Sequence, residues 1–239
     1  MRKDDSSDRL ASKEMIRREL QKRALSETDQ KPGGGPLITI SRDFYCGGGT
    51  VAKKLAARLG WTLYDRELID SIAADRKVAG DAIRRLDENV YPYLQEWANE
   101  IFLPGYVGHA VYMRGLARII SLIVQEGSAI VVGRGAHFLI PREKRLAVRL
   151  AAPVAWRIQN YMRATGEEHA AARDRVRQED LRRRRFIGHN FRKDVDDPLG
   201  YDLVINTQEV EPSSVQQLIL IALETRFHLT PIPGSPSVE

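Results

Sequence analysis

Three adjacent glycines, set between a short apolar run and a helix-periodic segment, constrain this chain more than any other feature. Leu37-Ile38-Thr39-Ile40-Ser41 is apolar and β-branched, the pattern of a buried strand. The turn Cys46-Gly47-Gly48-Gly49-Thr50 follows, and then Val51, Leu55 and Leu59 recur at helical spacing. Gly60 stands where a helix ends in a left-handed residue. Residues 61–64 read as a second strand, with Asp65 at its carboxyl end.

The same alternation continues. Residues 66–126 carry a helical pattern with breaks at Gly80, Pro92 and Pro104-Gly105. Residues 128–132, 146–150 and 201–206 are further strands, and residues 213–227 form a closing helix. Strands that read as unbroken apolar runs between helices predict an α/β fold with a parallel sheet covered on both faces. Ligands of such sheets lie at the carboxyl ends of the strands. That selects residues 41–50, Asp65-Arg66, Gly133-Arg134-Gly135 and Asn206-Thr207.

Residues 1–36 are set apart. They are polar and end in the breaker run Gly33-Gly34-Gly35-Pro36. A helix over 12–25 would align Met15, Ile16, Leu20 and Leu25, as a frayed appendage or as a contact for a partner or a second copy of the chain. The folded domain spans 37–227, and residues 228–239 form a Pro/Ser-rich tail expected to be disordered.

Hydrophobic residues at 43% and charged residues at 29% support a real core. No run of about 18 apolar residues occurs, so a membrane helix is not expected. The N-terminus lacks an apolar signal core, and the one cysteine, Cys46, excludes an intrachain disulfide or a Cys/His zinc cluster. A cytoplasmic location is the expectation.

A strand, a glycine turn and a helix N-terminus make a phosphate cradle, because inward N–H groups and the helix dipole favour an anion. A plain tight turn is the alternative. Against the consensus G-x-x-x-x-G-K-[ST], Gly47 fits the second glycine, Gly48 stands at the lysine and Arg42 at the first glycine. The lysine normally neutralises the β and γ phosphates, so another cation has to do so. Arg42 is the local candidate; Lys53 and Lys54 are expected to face solvent. Thr50 offers a hydroxyl to Mg²⁺ or phosphate, or else serves as the helix N-cap. Cys46 is read as a small turn residue.

The net charge of +5 has a single source. Residues 157–193 hold 11 Lys and Arg against 5 Asp and Glu. Their centre is Asp180-Leu181-Arg182-Arg183-Arg184-Arg185. A solvated helix, a nucleic-acid surface and a lid closing over phosphates are the three readings; a near-neutral remainder without a stacking motif weighs against nucleic acid. Asp180 lies three residues before Arg183 and four before Arg184, so it can orient one of them.

As a set, ITISRD, GGGTVAKKLAARLGW, LYDRELI, AIVVGRGAHFLI, DLRRRRF and DPLGYDLVINT resemble the cytidylate kinase-like family over about residues 37–226. The resemblance implies a P-loop kinase-like three-layer sandwich, with a parallel sheet core, a helical monophosphate-binding insertion at 81–126 and an arginine-rich lid at 157–193. It implies transfer of the ATP γ-phosphoryl group to a nucleoside monophosphate such as CMP or dCMP, with Mg²⁺. By position, Ser41, Gly47, Gly48, Gly49 and Thr50 hold ATP phosphates. Arg66, Arg134 and Asp180 serve the acceptor. Arg42, Asp65, Arg183 and Arg184 take catalytic roles, and Asp43 with Thr50 holds Mg²⁺. Tyr201, Asn206 and Thr207 are structural or line the adenine side. The lysine is often absent in this branch, and Ser41-Arg42-Asp43 agrees with it. Gly135 replaces the aspartate of true cytidylate kinases, and Tyr45 replaces a usual glycine, which strains it if φ must be positive. The alternative function is a non-catalytic nucleotide sensor.

Overall fold

The central strand of the sheet is β1 (Leu37–Arg42), the apolar run that precedes the glycines. The computed structural model describes residues 14–15, 34–73 and 107–229. Most of the appendage, the 81–106 part of the insertion and the tail beyond 229 lie outside the described residues. After β1 come α1 (Gly48–Leu59), β2 (Thr62–Tyr64), α2 (Arg66–Ala73), α3 (Val107–Glu126), β3 (Ala129–Val132) and α4 (Ala136–Leu139). Then follow β4 (Arg145–Ala151), α5 (Val154–Thr165), α6 (His169–Phe191), β5 (Leu203–Asn206) and α7 (Pro212–Phe227). The strand order is β2-β3-β1-β4-β5, with β1 parallel to β3 and β4, and β4 parallel to β5.

The chain forms two compact units, residues 35–63 with 128–239 and residues 1–34 with 64–127. In the first of these, the faces of the sheet differ in kind. Ile38, Ile40, Leu146, Val148 and Leu150 point to one side and pack with Val51 and Leu55 of α1 and with Val215, Ile219 and Leu223 of α7. Strand alternation sends Thr39, Ser41, Arg145 and Arg149 to the other side, where register sets Ser41 beside Arg149. All four are buried. Arg145 donates from Nε to the Ile140 carbonyl at 3.0 Å and pairs with Asp202 at 3.5 Å.

Gly60 caps α1 with φ +65°, as its position predicts. Thr50 is not the N-cap of that helix; Gly47 is, with φ +80° and no side-chain cap bond. The left-handed turn that the cap requires is open to glycine at little cost.

In the second unit, α2 and α3 approach closely at Gly115, where a Cβ would stand 2.6 Å from the Ala73 carbonyl oxygen. The Tyr112 hydroxyl donates to Asp70 at 2.7 Å, and the Tyr64 hydroxyl donates to Glu126 at 2.9 Å. Among the described residues, no helix is long and apolar enough to cross a membrane.

Candidate functional site

The loop from Arg42 to Gly48 leaves the carboxyl end of β1, between β3 and β4. Its shape depends on an exchange between its two ends. A Cβ at position 48 would lie 2.8 Å from Cβ and 3.1 Å from Cγ of Arg42, so the arginine stem fills the space beside Gly48. The Arg42 guanidinium reaches the end of β3, with Nη1 2.9 Å from where a Cβ at Gly133 would be. The cation missing from position 48 is thus present at position 42, where its stem takes the space of a side chain at 48; Gly133 is held to glycine by its own φ of +85°.

Tyr45 has φ +59°. The strain expected of a non-glycine residue there is real, on the order of 1–2 kcal/mol. Packing opposes it. The Tyr45 ring meets Phe44 and Tyr161 edge-on, each at 4.8 Å between centroids, and Phe44 lies 5.7 Å from Tyr161. Tyr161 belongs to α5, so the aromatic trio fastens the loop to the arginine-rich segment. The Asn160 side-chain amide donates to the Tyr45 carbonyl at 3.4 Å, and the Arg157 guanidinium to the Phe44 carbonyl at 3.3 Å.

Asp43 is the hub of the charges. Its Oδ1 accepts from Arg149 Nη2 at 2.7 Å and from Arg183 Nη1 at 3.1 Å. Its Oδ2 accepts from the Ala152 N–H at 3.3 Å and lies 3.8 Å from Arg157 Nε. Arg157 grips Asp180 with two nitrogens, at 3.1 and 2.8 Å. Asp180 also accepts from Arg183 at 3.4 Å, the i,i+3 pair that the spacing allows. Arg184 instead pairs with Asp196 at 2.9 Å and is mostly exposed.

Burial works most strongly against the Arg149 charge, but Asp43, Tyr201 and Asp196 together outweigh it and hold this guanidinium above the ordinary arginine range. For Arg183 burial wins and lowers it, with Asp43 pulling the other way. The Asp196 carboxyl is opposed by burial yet held low by Arg184 and Arg149.

The remaining expected residues are dispersed. The Ser41 Oγ lies 3.3 Å from the Tyr201 hydroxyl, which donates to the Val195 carbonyl at 2.8 Å. Gly49 and Thr50 are exposed in the first turn of α1. Arg134 has φ +54° in the left-handed run Gly133-Arg134-Gly135 and lies 4.7 Å above the Phe186 ring. A side chain at Gly135 would run into the Phe191 ring. Asp65 and Arg66 belong to the other compact unit, where Asp65 Oδ1 accepts from the Leu68 N–H at 2.9 Å and caps α2.

A cleft of about 310 Å³ opens beside the loop, lined by Cys46, Gly47, Val51, Trp156, Thr207 and Pro212 among others. Small-molecule pockets start near this size, at roughly 300 Å³. The Thr207 hydroxyl fixes its floor by donating to the Cys46 carbonyl at 2.8 Å. The buried Cys46 thiol, pushed up by burial, points to the Leu150 carbonyl at 3.5 Å and is a packed turn residue.

Reading the residues alone missed Arg149, Arg157 and Asp196. Arg149 did leave a signal, a charge inside the apolar strand Leu146-Ala147-Val148-Arg149-Leu150.

The family model described as the cytidylate kinase-like family matches residues 37–209. Among solved structures, an uncharacterized protein from Eubacterium ventriosum is similar at 22% identity and a TM-score of 0.65, covering 80% of this chain and 98% of that one. A shikimate kinase from Bacteroides thetaiotaomicron aligns at 16% identity and a TM-score of 0.43, over 79% and 98% of the two chains. A dephospho-CoA kinase from Campylobacter jejuni aligns at 13% and 0.35, over 82% and 99%. No curated protein matches the chain.

Proposed function

The chain belongs to the cytidylate kinase-like family, and from that premise we propose that it transfers the γ-phosphoryl group of ATP to a nucleoside monophosphate of the CMP or dCMP type. One observation carries the reading. Arg42 and Arg183 stand at a glycine loop on the carboxyl edge of a parallel sheet, where the consensus lysine is absent.

ATP phosphates lie along residues 42–50, under the N–H groups of the loop and the start of α1. The nucleoside side of ATP enters the cleft between Gly47, Trp156 and Thr207. Arg42 takes the charge-neutralising role of the lysine, and Arg183 adds a second guanidinium from α6. Phosphoryl transfer needs little covalent chemistry from the protein, so placing these cations is most of the work. Arg134 is the acceptor-side cation. The finer roles of Asp65, Arg66 and Arg184 belong to this proposal as well.

Mg²⁺ enters with ATP as part of the substrate. A resident ion at Asp43 does not fit, because its carboxylate already holds the Arg149 and Arg183 guanidinium groups. In the register that puts Gly48 at the lysine, the hydroxyl position of the consensus falls on Gly49, one residue before Thr50. Among the described residues, no three His, Cys, Asp or Glu side chains come together as a metal site.

A second reading has one observation in its favour. Arg183 is already engaged by Asp43 and Asp180, which suits a protein that binds nucleotide without turning it over. Labelled ATP with Mg²⁺, offered CMP, dCMP, UMP, AMP and GMP in turn, separates the two. A diphosphate product from one acceptor is expected. Folded protein that binds ATP and yields no product with any of the five would leave the sensor reading.

A further inference from the structure

The buried Arg149 has no role in the proposed reaction so far, and it is an expensive residue for an interior strand such as β4. Its side chain is 6% exposed. An apolar side chain would suit the interior of a parallel sheet better than a desolvated guanidinium. What it touches is specific. The single nitrogen Nη2 bonds Asp43 Oδ1 at 2.7 Å and Asp196 Oδ1 at 2.9 Å. Each carboxylate then holds one of two consecutive arginines of α6: Asp43 holds Arg183 at 3.1 Å, and Asp196 holds Arg184 at 2.9 Å through its other oxygen.

We infer that Arg149 is a positioning residue for phosphate capture, fixing Arg183 and Arg184 from inside the sheet through Asp43 and Asp196. The inference rests on the phosphoryl-transfer reading and deepens it. Two further facts support it. Asp43 is an anion in the loop that has to accept phosphates, and an unneutralised carboxylate there would repel them. Arg149 neutralises it from below, so Arg183, held in place by Asp43 and Asp180, keeps charge to offer an incoming phosphate. Among the described residues, Arg149 Nη1 is also buried and meets no acceptor, a donor that a closed structural ion-pair network would not leave over.

The test measures binding of inorganic tripolyphosphate to the full chain by calorimetry, so that turnover is not needed, with thermal melts alongside. The variants are Arg149→Gln, Arg149→Lys, Arg183→Gln and the double Arg149→Gln/Arg183→Gln. Arg149→Gln and Arg183→Gln should each weaken binding about tenfold, Arg149→Lys should recover part of the loss, and the double should lose little more than the worse single, because the two act as one unit. Arg226→Gln, whose guanidinium pairs with Asp202, should change nothing. If Arg149→Gln does not fold, Asp196→Asn at a half-exposed position replaces it, with a loss of about threefold that vanishes in an Arg184→Gln background. Independent, multiplicative losses would overturn the inference, as would unchanged binding in a variant that merely melts earlier. Wild-type protein that binds no tripolyphosphate would remove the phosphoryl-transfer reading itself, and this inference with it.

Discussion

A Cβ placed on Gly48 would stand 2.8 Å from the Cβ of Arg42. The two positions are therefore sterically linked: a side chain at one excludes a side chain at the other. The consensus loop has glycine first and lysine seventh, and this chain has the reverse. Gly48→Lys alone should destabilise the fold by about 1–3 kcal/mol through overpacking. The pair Arg42→Gly/Gly48→Lys should return most of that loss and bind ATP. Urea denaturation of the single and double variants checks it; equal loss in both would show that the contact is not the cause.

Arg42→Ala keeps the Cβ beside Gly48 and removes the guanidinium. Phosphoryl transfer should fall at least about tenfold, or 1.4 kcal/mol in barrier. Wild-type rates would take Arg42 out of the mechanism.

Arg157 binds Asp180 with both terminal nitrogens from a side chain that is 4% exposed. Replacing it by methionine removes the two-nitrogen grip on Asp180, leaving that carboxylate, among the described residues, only Arg183 at 3.4 Å, and should cost about 3 kcal/mol. The damage should be local to α5 and α6. Limited proteolysis is expected to cut between Thr165 and His169 sooner in Arg157→Met than in wild type, and an unchanged cleavage pattern would contradict this.

Tyr45→Gly relieves a left-handed residue but deletes two ring contacts. The strain is about 1–2 kcal/mol, and each aromatic pair contributes about 0.5–1.5 kcal/mol beyond the area it buries. With burial added, packing wins, so the variant should melt below wild type. A higher Tm would mean that the strain dominates.

His137 is buried against Phe138 and Tyr201, and its imidazole is pushed down to about 3, by burial first and then by Arg145 and Arg149. The unfolded chain takes up this proton near the ordinary value of 6.5. Below that value the unfolded state binds more protons, so stability is full above it and falls as pH drops toward 3. The slope from this one group is about 1.4 kcal/mol per pH unit. His137→Phe should flatten the fall between pH 6 and 4.5. Parallel wild-type and variant curves in that window would refute the assignment.

The local signals in the sequence carried the elements. Strands β1, β3 and β4 and helices α1 and α7 fall within a few residues of the apolar runs and helical periods that announced them. Gly60 is a C-cap as its place suggests, and Tyr45 has the positive φ on which its strain is conditional. The Asp180–Arg183 pair was also legible, because it lies within one helical turn. Thr50 as an N-cap was not right, since the helix begins at the left-handed Gly47.

By itself, then, the sequence determined what depends on neighbours along the chain: the period of burial, the turn glycines and the i,i+3 pair on α6. Only tertiary structure decided what Asp43 does. Its partners Arg149 and Arg183 lie 106 and 140 residues away. Nothing in a local pattern distinguishes a carboxylate that holds a metal from one that holds guanidinium groups. That choice rests on which charges the parallel crossovers deliver to the end of β1, and on a desolvated site where an unpaired charge would be too costly to keep.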